Sequence, residues 1–150
     1  MEILLSRNYE INNLITRSGR FSSIEFPQIV DDLINEYKEY AINNGELIIS
    51  TTKSIEIIDQ MQILDVEVLL PVLYKLPVKT PYSYKSSIKL YNALYAKIND
   101  ISKLQDAILE TNQYIVKNNY QPITSAYLIQ SKQNNNPCVE IYIGLNPNII

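Results

Sequence analysis

The sequence predicts an α+β fold made of two copies of a βαββ unit, and three observations carry that prediction. Two stretches, 28–44 and 103–118, repeat apolar residues at three- and four-residue spacing, as amphipathic helices do. Around them lie runs that alternate apolar and polar residues with a period of two, the mark of half-buried strands. Sliding the chain by 75 residues lays QIVDDLINEYKEYAINNG on KLQDAILETNQYIVKNNY, so a helix with two strands after it occurs twice.

In the first helix Ile29, Val30, Leu33, Ile34, Tyr37 and Ala41 share a side, with Asp31, Asp32, Asn35, Glu36, Lys38 and Glu39 opposite. Asn43-Asn44-Gly45 supplies a left-handed stop. Its start falls between residues 22 and 27. Ser22 and Glu25 form a capping box with Phe21 and Phe26 as its staple, but that start leaves Pro27 too deep in the helix. Leu47 to Thr52 and Ile63 to Leu70 then read as strands.

Residues 86–97 fit a helix through Ile88, Tyr91, Leu94 and Ile98, and fit a strand equally well. If each unit opens on a strand, 10–17 opens the first and 86–97 the second, and this consistency selects the strand. The second helix takes Ser102 and Gln105 as a capping box, Leu104, Ala107, Ile108, Thr111 and Ile115 as its buried stripe, and Asn118-Asn119 as its stop. Thr124 to Gln130 and Val139 to Ile143 come next as strands, joined by the Asn134-Asn135-Asn136-Pro137 turn. At an offset of 73, DVEVLLP (Asp65 to Pro71) lies on CVEIYIG (Cys138 to Gly144). The expected product is a single domain over 1–150, with module one at about 10–76 and module two at about 82–146, joined near Pro77 to Pro81. Its expected form is one mostly antiparallel sheet with two long helices on one face and a groove on the other.

The bulk composition narrows the class of protein. A chain of 150 residues, 46% of them apolar, can bury roughly two-thirds of its unfolded surface. No apolar run approaches the ~20 residues a membrane helix needs; the longest is interrupted at Asp65, Glu67 and Pro71. MEILLSRNYE has an acid at position 2 and too short an apolar stretch for a secretory signal, and the lone Cys138 fits a reducing compartment, so a cytoplasmic location is expected. The 13 Lys and Arg residues are scattered and the net charge is −3, which leaves no basic stripe for nucleic acid.

With no His, one Cys and only Gly19, Gly45 and Gly144 as glycines, the chain lacks the usual general base, a thiolate metal site and a phosphate-cradling loop. No cofactor, metal or catalytic residue is expected. Ser50-Thr51-Thr52-Lys53 has the spacing of the penicillin-recognising enzymes, but it falls in a strand without the companion motifs that chemistry needs.

The doubled βαββ unit, with its DVEVLLPV strand and the second copy's NNYQPITSAYLIQ and CVEIYIG, resembles the GyrI-like effector-binding domains of the SOUL-type fold over residues 10–146. Within that breadth the chain is similar to a Firmicute protein family of this length whose members are often encoded beside LXG-type toxins of type VII secretion. The resemblance implies two modules related by a pseudo-two-fold axis, with a groove on the helix-free face of the sheet.

Alternation assigns the side chains of that face. Val66, Val68 and Leu70 should pack under the helices, with Asp65, Glu67 and Leu69 pointing the other way. Likewise Val139, Ile141 and Ile143 go inward, leaving Cys138, Glu140 and Tyr142 toward the groove. Tyr91 and Tyr95 join them from 86–97, and Tyr127 reaches the same face from 124–130. A carboxylate among tyrosines suits a cationic or aromatic ligand. By resemblance, Glu67 and Glu140 stand where GyrI-like drug-binding members place a groove glutamate; the plainer alternative is two charges facing solvent on the open side of a sheet.

Three functions are compatible with these expectations. The resemblance implies a non-catalytic accessory, adaptor or immunity-type partner of a secreted toxin or secretion component. Twelve tyrosines against two phenylalanines suit a wet interface of that kind, and the sequence leans this way. The alternative is a stand-alone sensor or sequestering protein for a small amphipathic ligand. The first ~20 residues leave no room for a helix-turn-helix, so direct transcription control by this chain is not expected. An enzyme has the least support, and a homodimer is compatible with the sequence. A deep pocket closing on Glu67 or Glu140 favours a small molecule; a shallow groove filled by the chain's own side chains favours a protein.

Overall fold

The computed structural model describes residues 1–147. Six mostly antiparallel strands and two helices make an α+β architecture: β1 (Ile3–Ser22), α1 (Phe26–Tyr37), β2 (Ile48–Ile58), β3 (Met61–Pro71), β4 (Ser83–Ile98), α2 (Leu104–Lys117), β5 (Tyr127–Gln133) and β6 (Asn136–Gly144). They divide into two compact units, Ile11–Ile88 and Met1–Glu10 with the chain from Lys89 onward. Among the described residues no helix is long and apolar enough to cross a membrane.

In the unit Ile11–Ile88, β2 and β3 form a hairpin whose Asp59-Gln60 turn has φ of 50° and 66°, the positive values that let a two-residue turn match the strands' twist. The other edge of β3 pairs with β1, from Leu14 opposite Pro71 to Ser22 opposite Ile63. Alternation places Val68 and Leu70 under the helix as expected, while Leu69, expected on the open face, is fully buried as well. Val68, Leu70 and Val72 pack with Leu33 and Tyr37 of α1, together with Ile15 and Leu76.

The ends of α1 differ from the sequence reading in instructive ways. The Ser22–Glu25 capping box is present, with Ser22 N donating to Glu25 Oε1 at 2.7 Å and Glu25 N donating to Ser22 Oγ at 3.1 Å. It closes a turn ahead of the helix, so Pro27 falls in the first helical turn, where a missing N–H costs nothing. The helix expected to run to residue 44 stops at Tyr37 and gives way to two short 3-10 turns. Ala41 is extended there because it bridges Val72, and that tertiary pairing outweighs a helical pattern that periodicity alone would continue. Asn43, Asn44 and Gly45 still supply the left-handed stop, with φ of 53°, 57° and 86°.

In the other unit, β6 pairs with β5 on one side and β4 on the other, which settles 86–97 as strand. Leu94, Ala96 and Ile98 of β4 and Val139, Ile141 and Ile143 of β6 form one core with Ala107 and Ile115 of α2. The helix is not started by a Ser102–Gln105 box. Asp100 instead accepts from Ser102 N at 3.0 Å and Ser102 Oγ at 2.7 Å, capping a 3-10 turn that leads into Leu104.

The duplication extends to irregularities. Asn13 in β1 and Asn92 in β4 both have positive φ, 62° and 51°. The Asn13 carbonyl accepts from Val72 N at 2.8 Å and the Asn92 carbonyl from Leu145 N at 3.4 Å. Val72 and Leu145 each also carry an isolated bridge, to Ala41 and to Pro122. Bulges of this kind re-aim strands, and here each module has one at the matching place.

Candidate functional site

Register decides which chemistry meets in the unit that holds β4, β5 and β6. Tyr142 on β6 stands opposite Tyr95 on β4 and Tyr127 on β5, so three tyrosines make one row across the strands. Two residues along, Glu140 stands opposite Lys97 and Ile129. Directly opposed residues share a sheet face, and the intervening residues are those that pack under α2.

Within that face four side chains interlock. Tyr95 donates its hydroxyl to Glu140 Oε2 at 2.7 Å. Its ring lies 5.0 Å from that of Tyr142, and the Tyr9 ring lies 5.1 Å from Tyr142 on β1's contribution to the unit. Tyr142 is buried, whereas Tyr9, Tyr95 and Glu140 are half-buried. The exposed Arg7 places its guanidinium 5.3 Å from the centre of the Tyr95 ring, within cation–π range.

The charges are set by this packing. Burial pushes the Tyr9 phenol up to about 12, helped by the negative charge of Glu140 and then by Tyr142. Tyr95 is raised by burial first, then by its hydrogen bond to Glu140 and that carboxylate's charge. Tyr142 is raised by burial and Glu140, while Arg7 pulls it back down. All three phenols therefore stay neutral well above pH 7, as hydrogen-bond donors and ring faces rather than as bases or nucleophiles. Glu140 is the acidic side chain among them. Lys97, its cross-strand neighbour, commits its ammonium to Gln133 Oε1 at 3.0 Å, and among the described residues Glu140 has no ion pair.

Glu67 is differently placed. It stands in the unit Ile11–Ile88, opposite Ser18 and Thr51, and Lys85 Nζ lies 3.4 Å from its Oε1. The positions that match Tyr95, Tyr142 and Tyr127 are Thr16, Leu69 and Ile49, which oppose one another in the same way. Both modules carry the glutamate, and only the second surrounds it with rings.

The remaining residues of the sequence reading lie in varied surroundings. Tyr127 is half-buried beside Tyr142 in the register. Tyr91 is 56% exposed and outside the ring cluster, because the positive φ of Asn92 interrupts the alternation between 91 and 93. Cys138 is buried, and Ser50 to Lys53 lies within β2. Arg7 and Tyr9 escaped the sequence reading, which began the first strand at residue 10. A shallow depression of about 330 Å³ lined by Asn112, Gln113, Val116 and Lys117 marks α2 and shares no residue with the tyrosine cluster.

No family model matches the chain, and no curated protein matches it. Among solved structures it is similar to EcmrR, seen in the cryo-EM structure of an EcmrR–DNA complex in EcmrR-RPo. The TM-score is 0.59 at 16% identity, over 96% of this chain and 57% of that one. What the two share is the α+β fold. This chain thus spans little more than half the length of the EcmrR chain. It is also similar to an integron cassette protein from the mobile metagenome of Vibrio cholerae, at a TM-score of 0.47 and 16% identity, over 97% of this chain and all of the other.

The Glu140 cluster combines the elements of a polar site with those of an aromatic one. It offers a half-buried carboxylate with no ion pair among the described residues, bordered by ring faces, with neutral hydroxyls to fix orientation.

Proposed function

We propose that this chain is a non-catalytic, GyrI-like binding domain whose ligand is a small amphipathic or aromatic cation held at Glu140 among Tyr9, Tyr95 and Tyr142. The observation that carries this reading is the contrast between the two glutamates: Glu67 has Lys85 beside it, whereas Glu140 is anchored by a phenol and left with its charge to offer. The reading makes the chain a sensor or a sequestering protein, working in the cytoplasm without cofactor or catalytic residue.

The experiment is a thermal-shift titration of the whole chain with ethidium, a planar aromatic cation. Binding to the folded state raises Tm with concentration. The shift should vanish in Glu140→Gln and persist in Glu67→Gln. Equal shifts in both variants, or none in the wild type, would remove the reading.

A second reading has its own observation. Near its turn the β2–β3 hairpin leaves Ile55, Ile57, Ile58 and Met61 exposed, more apolar surface than an isolated hairpin end needs. A protein-binding accessory, adaptor or immunity-type factor in a type VII secretion context would use such a surface. A Tm shift with a co-purified LXG toxin domain, lost in Ile57→Asp and absent with ethidium, would select it.

A further inference from the structure

Arg7 and Glu140 carry opposite formal charges and engage Tyr95 at different places. Glu140 holds the hydroxyl, while the Arg7 guanidinium lies over the ring. A phenol that donates to a carboxylate is polarised toward the ring, which strengthens the ring as a platform for a cation. The platform that the proposed function assigns to a ligand already carries a cation from this chain.

Arg7 is built to leave. It is exposed, it has no ion pair among the described residues, and cation–π contact at an exposed site is weak. Its long side chain can swing into solvent without moving the strand. The group that would depart is also informative. A guanidinium is planar and delocalised and lies flat on a ring, whereas an ammonium is a compact, strongly hydrated point charge.

We infer that Arg7 is an internal competitor that the ligand displaces, and that the site therefore selects planar, delocalised cations of the guanidinium and amidinium class over compact ammonium ions. This inference rests on the reading of Glu140 as the ligand's anchor. Arg7 sets specificity by raising the threshold: a cation that stacks no better than a guanidinium gains nothing by replacing it.

Calorimetric titrations of the full chain with benzamidinium, benzylammonium and neutral benzamide test it. Wild type, Arg7→Gln, Arg7→Lys and Glu140→Gln are compared, each checked for an unchanged melting profile. Benzamidinium should bind wild type ahead of benzylammonium, and benzamide should not bind. Arg7→Gln should tighten benzamidinium roughly three- to fivefold, the size of an exposed cation–π contact. Arg7→Lys, which keeps the charge but loses the plane, should tighten it as well. If Glu140→Gln abolishes binding while both Arg7 variants match or fall below wild type, the competitor role is overturned and the Glu140 reading stands. A preference for benzylammonium overturns the planar-cation class in the same way. If no cation binds any form, or Glu140→Gln binds as wild type does, the reading and the inference fall together.

Discussion

Tyr95 and Glu140 are joined across the β4–β6 ladder by a 2.7 Å hydrogen bond although they are not direct cross-strand partners; Tyr95 is opposed to Tyr142, and Glu140 to Lys97. The diagonal reach of the phenol lets one residue satisfy the carboxylate and present a ring at once. Tyr95→Phe keeps the ring and removes the bond. It should cost about 1.5 kcal/mol of stability, the low end for a bond to a charged group, because the pair is only half-buried. Urea unfolding measures this, and an unchanged midpoint would mean that solvent replaces the phenol at no cost.

Alkaline pH should weaken the fold through the same cluster. Tyr9, Tyr95 and Tyr142 all titrate above the ordinary value of 10.0, Tyr9 at about 12. The folded state holds these protons more tightly than the unfolded chain. Their contribution is fully present below pH 10 and is lost as pH rises from 10 toward 12 and beyond. Tm against pH should be flat below that window and fall through it, with a shallower fall in Tyr9→Phe. Tyrosinate absorbance in the native protein that rises fully near pH 10 would contradict the packing.

Asn92 tests the matched bulges. Its φ is 51° and its Nδ2 donates to the Leu145 carbonyl at 3.2 Å. Asn92→Ala puts an ordinary side chain in the left-handed region and removes that bond, for a combined cost of about 2 kcal/mol. Asn92→Gly relieves the backbone and should recover about half of the loss. If Ala and Gly are equally damaging, the side-chain bond alone matters.

The two cores should respond alike to truncation. Leu33 and Ile141 are fully buried, the first on the inner side of α1 and the second on β6 beneath α2. Leu33→Ala and Ile141→Ala should each cost about 2–5 kcal/mol by chemical denaturation. Val116→Ser, on the exposed flank of α2, should stay within about 0.5 kcal/mol.

Much of this was legible in the residues. Period-two runs identified the strands of both hairpins, and alternation placed Val68 and Leu70 in the α1 core and Val139, Ile141 and Ile143 in the α2 core, because side-chain direction in a strand is a local property. It did not show that Leu69, Cys138 and Tyr142 on the opposite face are buried too. The ambiguous 86–97 resolved as strand only through the duplication. Tyr91 shows where alternation stops being enough: Asn92 breaks the pleat, and no residue type announces that in advance. Arg7 and Tyr9 lie in the part of β1 that precedes residue 10, where the first strand was expected to begin.

By itself, then, the sequence determined the α+β class, the doubled unit, the position of both helices and the two glutamates at matching places, all of which depend on periodicities a few residues long. Tertiary structure decided which glutamate is paired with a lysine and which with a phenol. Lys85 is 18 residues from Glu67 and Tyr95 is 45 from Glu140, and both pairs are made by tertiary structure rather than by neighbourhood in the chain. Contacts between residues far apart in the chain set the partner of each carboxylate, and periodicities a few residues long carry no information about them.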